Sequence, residues 1–233
     1  MNGKYQHIFF DLDHTLWDFE KNSAMALAEL YHGHGLAARG VTDFEQFRAI
    51  YERNNEKFWD RLRRGLIRRE DMRWKRFWHT LLEHGIADRA LANAMSERYL
   101  EILPTLSALM PHAAEILDYC RQKGYRLHVI TNGFEATQLQ KMNASGIAHF
   151  FDKIITSEKS MSMKPKPGIF EYALLQTGAT KANSLMIGDG LAIDVLGARE
   201  FGMDQVYFNP VGMAHHDRVT FEIKRLSELE TIL

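Results

Sequence analysis

Apolar residues follow two different periodicities along this chain. Short apolar runs of strand length occur near the amino terminus and again after Pro111, and segments with helical spacing separate them. The runs predict strands at residues 5–10, 127–130, 153–156, 184–187 and 205–208. Helices are predicted near 112–123, 134–145, 168–177 and 191–201, and a Ser227-x-x-Glu230 capping box predicts that the terminus docks on the sheet. This alternation is typical of an α/β fold with a parallel sheet and helices on both faces.

Residues 17–109 have a different pattern, because their apolar residues recur at helical spacing without a convincing strand. Helices are predicted at 20–33, 43–64, 69–84 and 88–103, with Asp43 and Asp88 as amino-terminal caps. On the third helix a predicted core stripe consists of Trp74, Phe77, Trp78 and Leu81. The predicted domains are a core of residues 1–16 and 110–233 and an inserted all-helical domain of residues 17–109.

Composition narrows the functional classes only a little. The 233 residues are 45% hydrophobic with a net charge of −1, which gives no general reason to expect binding to nucleic acid or to a membrane surface. No apolar run approaches membrane-spanning length and no signal-peptide pattern is present, so a cytoplasmic location is expected. The single cysteine, Cys120, shares a helical face with apolar residues and is interpreted as core packing. The oligomeric state stays open.

Two carboxylates follow the first predicted strand directly. In extended backbone Asp11 and Asp13 point to the same side, whereas His14 points away from them. Because two such carboxylates repel each other, their spacing is favourable only with a hard cation or with a proton on one of them. An Asp-x-Asp sequence by itself is more often a solvated turn, so this segment alone does not establish a site.

Polar residues also follow the later strands. Thr131 and Asn132 precede a glycine that would let the backbone approach a phosphate, although both are also common helix caps. Lys164 lies in a loop after the third strand, where its ammonium group can neutralise a carboxylate and a phosphoryl group. Asp189 and Asp194 follow the fourth strand. Since the carboxyl ends of parallel strands meet at one sheet edge, four acids are expected to converge there, and an all-oxygen ligand set favours Mg²⁺.

Taken in order, these segments resemble the four motifs of the haloacid dehalogenase superfamily of phosphatases. The matching residues are Asp11-Leu12-Asp13-His14-Thr15, Thr131-Asn132, Lys164-Pro165, and Gly188-Asp189 with Asp194. The resemblance implies a doubly wound, Rossmann-like sheet with the first strand central and the fourth beside it, and a C1-type cap formed by the helical insert. Gly190 departs from the family pattern, which usually has Ser, Thr or Asn there, and we expect changed metal binding without loss of activity.

The resemblance also implies a role for each site residue in a Mg²⁺-dependent phosphomonoester hydrolase. Asp11 would attack phosphorus and form an aspartyl-phosphate, and Asp13 would act as general acid and then as general base. Mg²⁺ would be held by the Asp11 carboxylate, the Asp13 backbone carbonyl and Asp189, with Asp194 acting through water. The residues that would stabilise charge on the transferring phosphoryl group are Thr131, Asn132 and Lys164.

A finer resemblance is to the pyrimidine 5′-nucleotidase subgroup, carried by residues 9–16, 130–134 and 169–174 and by the length of the cap. It implies small-molecule substrates of the pyrimidine nucleoside 5′-monophosphate class. The alternatives are a phosphatase of small sugar phosphates or phosphoglycolate, a phosphomutase, a dehalogenase, and a nucleic-acid-binding module. Asp13 argues against the dehalogenase, which has no use for an acid there, and the balanced net charge argues against the nucleic-acid-binding module.

Overall fold

A computed structural model describes residues 3–233, which divide into two compact units. The first unit contains the described residues up to Phe19 together with Ser107–Leu233, and the second is Glu20–Leu106. These limits place 17–19 and 107–109, which the sequence pattern assigned to the helical insert, in the first unit. The reason is backbone pairing, because Trp17 forms isolated β-bridges with both Asp13 and Leu109.

Within residues 3–233 the first unit is built on a six-stranded parallel sheet. The strands are β1 His7–Phe10, β2 Arg126–Thr131, β3 Lys153–Thr156, β4 Ser184–Gly188, β5 Asp204–Phe208 and β6 Phe221–Ile223. Their order is β3-β2-β1-β4-β5-β6, and every neighbouring pair is parallel. All four residues of β1 are buried, as expected for a central strand covered on both faces. The predicted doubly wound sheet, with the first strand central and the fourth beside it, is confirmed.

Helices account for most of the second unit. Within Glu20–Leu106 and the residue before it, the α-helices are α1 Phe19–Gly33, α2 Phe44–Arg63, α3 Arg69–Glu83 and α4 Arg89–Ile102. Both predicted caps are confirmed: Asp43 Oδ1 accepts a hydrogen bond from Glu45 N at 2.8 Å, and Asp88 Oδ1 accepts one from Leu91 N at 2.9 Å. The helical insert therefore begins two of its helices with side-chain caps that the sequence already indicates.

The core stripe predicted on α3 is only half correct. Phe77 and Leu81 are buried, but Trp74 and Trp78 are partly exposed. The buried face runs instead through Arg76, whose guanidinium lies 5.1 Å from the centre of the Tyr99 ring. An arginine can occupy this core position because its planar cation stacks on aromatic rings, and this interaction is invisible in a count of apolar residues.

The helices of the first unit alternate with the strands, as predicted. They are α5 Ala113–Gln122, α6 Glu135–Ala144, α7 Ser157–Ser160, α8 Pro167–Thr177 and α9 Leu196–Phe201. Cys120 is fully buried on α5, and burial raises the pKa of its thiol to about 12, which confirms a packing role. No helix in the part of the chain that the structure describes is long and apolar enough to span a membrane.

Two features near the carboxyl end differ from the sequence prediction. β6 was not predicted, since three residues are too few to show a strand pattern, and its pairing with β5 defines it. The capping box predicted at Ser227 and Glu230 is wrong. The helix begins two residues earlier, where Glu228 accepts a hydrogen bond from Arg225 N at 2.9 Å. A 3₁₀ helix, Leu226–Thr231, lies near the carboxyl end; Leu226 and Leu229 are buried, and the helix packs mainly against α5.

A pair of buried histidines is expected to make the fold less stable in acid. His7 Nδ1 and His128 Nε2 lie 3.1 Å apart on β1 and β2, and burial lowers the pKa of both rings, that of His128 to about 3. The unfolded chain binds a proton near pH 6.5 but folded His128 does not, so the stabilisation is complete above pH 6.5 and is lost as the pH falls. We expect His128 to lower the free energy of unfolding by up to about 2 kcal/mol between pH 6.5 and about pH 5.

Urea unfolding at the two pH values measures this effect. Replacing His128 with leucine should reduce the difference between them, because the proton-binding group is then absent from both states. The matched control is His149→Asn, which changes an exposed histidine of the same unit. A pH difference that is the same in wild type and His128→Leu would contradict the assignment.

Candidate active site

Asp11 lies at the carboxyl edge of the sheet, immediately after β1. Its backbone N donates to the Ile187 carbonyl of β4 at 2.8 Å, which holds the ends of the two strands side by side. Within the described residues, Asp11, Asp189 and Asp194 each offer one carboxylate oxygen, and these three atoms lie within 4.8 Å of one another. The parallel order of the strands thus brings together acids from opposite ends of the chain.

Lys164 lies against this cluster of three acids. Its side chain is buried, and Nζ donates to Asp11 Oδ1 and, at 2.7 Å, to the Ile130 carbonyl. Nζ also lies 2.6 Å from Asp194 Oδ1. Burial alone would lower the pKa of Lys164, but the two neighbouring carboxylates outweigh burial and raise it. Lys164 therefore stays charged and neutralises one of the three acids.

A π-helical turn, Leu191–Val195, sets the direction of Asp194 and replaces the start of the regular helix predicted at 191–201. The Asp194 amide donates to the Gly190 carbonyl at 2.7 Å, and its carboxylate turns back to accept from Gly190 N at 2.9 Å. A Cβ added at Gly190 would lie 2.8 Å from Asp194 Oδ2, and one added at Gly188 would lie 2.5 Å from Asp194 Cβ. Both glycines leave space beside Asp194, and a Cβ at position 190 would have to displace the Asp194 carboxylate oxygen.

Asp189 is oriented by Thr15, a residue of the first motif to which the sequence assigned no role. Thr15 Oγ1 donates to Asp189 Oδ1 at 2.9 Å and accepts from Asp189 N at 3.0 Å. Burial raises the pKa of Asp189 to about 6, and the charge of Asp194 adds to the effect. Burial likewise raises the pKa of Asp11. The cluster therefore holds more negative charge than its one lysine balances.

This donor set fits a divalent cation. Three carboxylates beside one ammonium group repel one another unless further positive charge is supplied. The raised pKa values of Asp11 and Asp189 reflect burial first and this repulsion second. Carboxylate oxygens are the ligands that Mg²⁺ prefers in proteins. The side chains close enough together to hold the cation are those of Asp11, Asp189 and Asp194. The Asp13 backbone carbonyl as a further ligand and a water between Asp194 and the cation stay predictions.

The segment after β2 connects two loops of the site. Asn132 Nδ2 donates to the Lys164 carbonyl at 3.0 Å and Asn132 Oδ1 accepts from Lys164 N at 2.7 Å, so its amide ties the Lys164 loop to β2. Thr131 Oγ1 accepts from Gly133 N at 3.0 Å and from Gln138 Nε2 at 2.7 Å. Because a hydroxyl group has one donor and two acceptor positions, the Thr131 proton stays available for a phosphate oxygen.

Asp13 is held by helix α6, apart from the three clustered acids. Gln138 Nε2 donates to Asp13 Oδ2 at 2.9 Å, and Lys141 Nζ donates to Asp13 Oδ1 at 2.5 Å. Burial alone would raise the pKa of Asp13, but Lys141 and Gln138 outweigh burial and lower it. Sequence reasoning missed both helix residues. The signal it could have used is a polar pair three residues apart on the helix that follows the Thr131 turn.

The chain does not stay extended past Asp13. The prediction that His14 points away from Asp11 and Asp13 assumed extended backbone, so its basis does not hold. His14 has a left-handed backbone with φ of 66°, and its ring lies 4.8 Å from the Phe19 ring.

Comparison with known proteins agrees with this fold. Two pyrimidine 5′-nucleotidases are similar over nearly the whole chain: PynA of Streptococcus pneumoniae is 28% identical over 97% of this chain and 93% of its own, and YjjG of Escherichia coli is 30% identical over 99% and 98%. A glyceraldehyde 3-phosphate phosphatase of Methanothermobacter thermautotrophicus is 30% identical over 87% of this chain and 84% of its own.

A solved structure shows the same likeness in three dimensions. The magnesium-bound HAD-hydrolase YfnB of Bacillus subtilis superimposes with a TM-score of 0.89 at 27% identity, covering 99% of both chains. Residues 5–202, which include β1 to β4 and the helical insert, match the haloacid dehalogenase-like hydrolases as a family. This match confirms the resemblance that the four motifs suggested. The chain belongs to the haloacid dehalogenase-like hydrolase family.

Proposed function

We propose that this protein is a Mg²⁺-dependent phosphomonoester hydrolase that works through an aspartyl-phosphate on Asp11 and prefers pyrimidine nucleoside 5′-monophosphates. The observation that carries the hydrolase is the buried contact of Lys164 with Asp11 and Asp194, with Asp13 held separately two residues beyond the nucleophile. These contacts support Asp11 as the attacking carboxylate and Asp13 as the carboxylate that transfers protons. The core is the catalytic domain, and the helical insert is a cap that selects the substrate.

Asp11 supplies the nucleophile. A carboxylate oxygen attacks phosphorus while the bond to the leaving oxygen breaks, which gives an aspartyl-phosphate and an alcohol. Lys164 neutralises charge on the nucleophile and on the phosphoryl oxygens. The Thr131 hydroxyl group donates a hydrogen bond to one of those oxygens. The carboxylates of Asp11, Asp189 and Asp194 would hold Mg²⁺, which would supply positive charge to offset that of the acids and the phosphoryl group. Asn132 acts by keeping the Lys164 loop in place.

Asp13 moves the protons. It protonates the leaving alkoxide and then accepts a proton from the water that hydrolyses the aspartyl-phosphate, which releases phosphate and restores Asp11. General acid and base catalysis of this kind is worth about 10²–10⁴-fold in rate. A dehalogenase needs no proton donor for a halide leaving group, so the second carboxylate favours phosphate esters.

The choice of nucleotides over sugar phosphates rests on the helical unit. The two nucleotidases match 97% and 99% of the chain, whereas the glyceraldehyde 3-phosphate phosphatase matches 87%. Of the aromatic residues in this unit, Phe47 and Phe58 are buried, but Phe44, Trp59 and Trp74 are partly exposed. Stacking of a base on one such ring contributes about 1–3 kcal/mol.

Phosphate release from a substrate panel tests the proposal. With Mg²⁺ present we expect kcat/KM for UMP and dTMP to exceed that for glucose 6-phosphate and phosphoglycolate by about tenfold or more, since each 1.4 kcal/mol is a factor of ten. Equal values on all four substrates would remove the nucleotide preference and leave the phosphatase. A product that is isomerised without phosphate release would indicate a phosphomutase, and no reaction with any ester would overturn the hydrolase.

A further inference from the structure

Helix α6 presents two buried polar side chains to Asp13. Gln138 and Lys141 are 1% and 3% exposed, and they are three residues apart, which places them on one face of the helix. Their donors occupy both carboxylate oxygens of Asp13: Gln138 Nε2 bonds Oδ2 and Lys141 Nζ bonds Oδ1. The carboxylate is therefore held at two points by one rigid element.

The surroundings of Lys141 show how specific this contact is. Its ammonium lies 4.2 Å from the centre of the fully buried Trp17 ring and 5.4 Å from that of Phe19. Among the described residues, Asp13 is the only carboxylate that forms an ion pair with Lys141. Lysine is rarely fully buried, and removing its charge from water is costly without a partner. The fold thus holds a desolvated cation on one oxygen of Asp13.

Gln138 links Asp13 to the phosphate side of the site. The same Nε2 donates to Asp13 Oδ2 and, at 2.7 Å, to Thr131 Oγ1, while Oε1 has no hydrogen-bond partner among the described residues. The two acceptors therefore set which way the amide faces. Gly133 makes space for this side chain, since a Cβ there would lie 2.4 Å from Gln138 Cδ.

We propose that Lys141 and Gln138 are positioning residues that fix the Asp13 carboxylate toward the oxygen of the leaving group. The inference rests on the proposed function, because it gives Asp13 the proton transfers described above. A carboxylate turns about its Cβ–Cγ bond, and proton transfer needs it within hydrogen-bond reach of the leaving oxygen. A misplacement of about 1 Å costs about 10²-fold in rate.

The test compares two leaving groups in single-turnover experiments with enzyme in excess and Mg²⁺ present. The leaving group of UMP is a strongly basic alkoxide that needs a proton. The leaving group of p-nitrophenyl phosphate is a stable phenolate that does not. For Lys141→Met, which keeps the aliphatic stem and removes the charge, we expect alcohol release from UMP to slow by about 10²-fold. Release of p-nitrophenol should change by less than about threefold, because general-acid help contributes little there.

Further variants separate positioning from a structural role. Lys141→Arg, which restores a cation at this position, should recover most of the rate on UMP, and KM should stay within about threefold of wild type in both Lys141 variants. The matched control is Lys159→Met. It breaks a partly exposed ion pair, 2.6 Å long, between Lys159 of α7 and Glu135 of α6, and it should leave both rates unchanged.

Equal losses on both substrates, or no loss on either, would overturn the inference. If Lys141→Met does not fold, Gln138→Met decides the question with the same two substrates, since it removes the other donor to Asp13. Failure of the proposed function has a different signature, because wild-type enzyme would then release neither uridine nor p-nitrophenol.

Discussion

Replacing Asp11 with asparagine is expected to reduce phosphate release by at least about 10⁴-fold, as the loss of a catalytic nucleophile does elsewhere. The amide cannot attack phosphorus, so no aspartyl-phosphate forms. The fold should persist, because the asparagine side chain still offers an oxygen to Lys164 and the change removes a buried negative charge. Phosphate release under saturating Mg²⁺ measures the loss, and urea unfolding measures the stability.

The control for this substitution is Asp118→Asn, which makes the same chemical change at an exposed position on α5. It should retain wild-type turnover. Mass spectrometry of acid-quenched wild-type enzyme should find one phosphoryl group on Asp11 during turnover and none in the Asp11→Asn variant. More than a trace of activity in that variant, with deamidation to aspartate excluded by intact mass, would refute the covalent mechanism.

Removing divalent metal is expected to abolish turnover, and added Mg²⁺ should restore it. The physical reason is the excess of negative charge in the cluster of Asp11, Asp189 and Asp194, which the single ammonium of Lys164 leaves uncompensated. Binding should also be visible without catalysis, since a ligand present at about 100 times its Kd stabilises the folded state by about 2.7 kcal/mol. Chelation followed by thermal unfolding with and without Mg²⁺ measures that stabilisation.

Asp189→Asn should weaken this metal-dependent stabilisation, while Asp118→Asn should leave it unchanged. Asp189→Asn tests the charge alone, because Thr15 can still donate a hydrogen bond to the side-chain oxygen of the asparagine. Full activity in excess chelator, combined with no effect of Mg²⁺ on the unfolding temperature, would contradict the metal assignment.

The four motifs could be located from the sequence because each follows a strand. In an open α/β sheet the catalytic residues follow the strands, and the apolar runs of those strands are visible in the sequence. Once β1 and β4 are neighbours, Asp11 and Asp189 must lie close together, whatever the loops between them do. The glycine at position 190 was harder to interpret. In this structure the Asp194 carboxylate lies within 2.8 Å of where a Cβ at position 190 would be, and the π-helical turn that directs this carboxylate has no sequence signature.

By itself, the sequence determined the α/β class, the helical insert, the caps at Asp43 and Asp88 and the residues at the strand ends, because each depends on local periodicity or on neighbours in the chain. Only the tertiary structure decided how Asp13 is held. Its partners on α6 are 125 and 128 positions away, and a helical lysine or glutamine normally faces solvent. Lys141 is buried because the fold places an aromatic ring and a carboxylate beside it, as it places Tyr99 against Arg76 in the helical unit. Such contacts depend on how elements pack, and no local pattern encodes them.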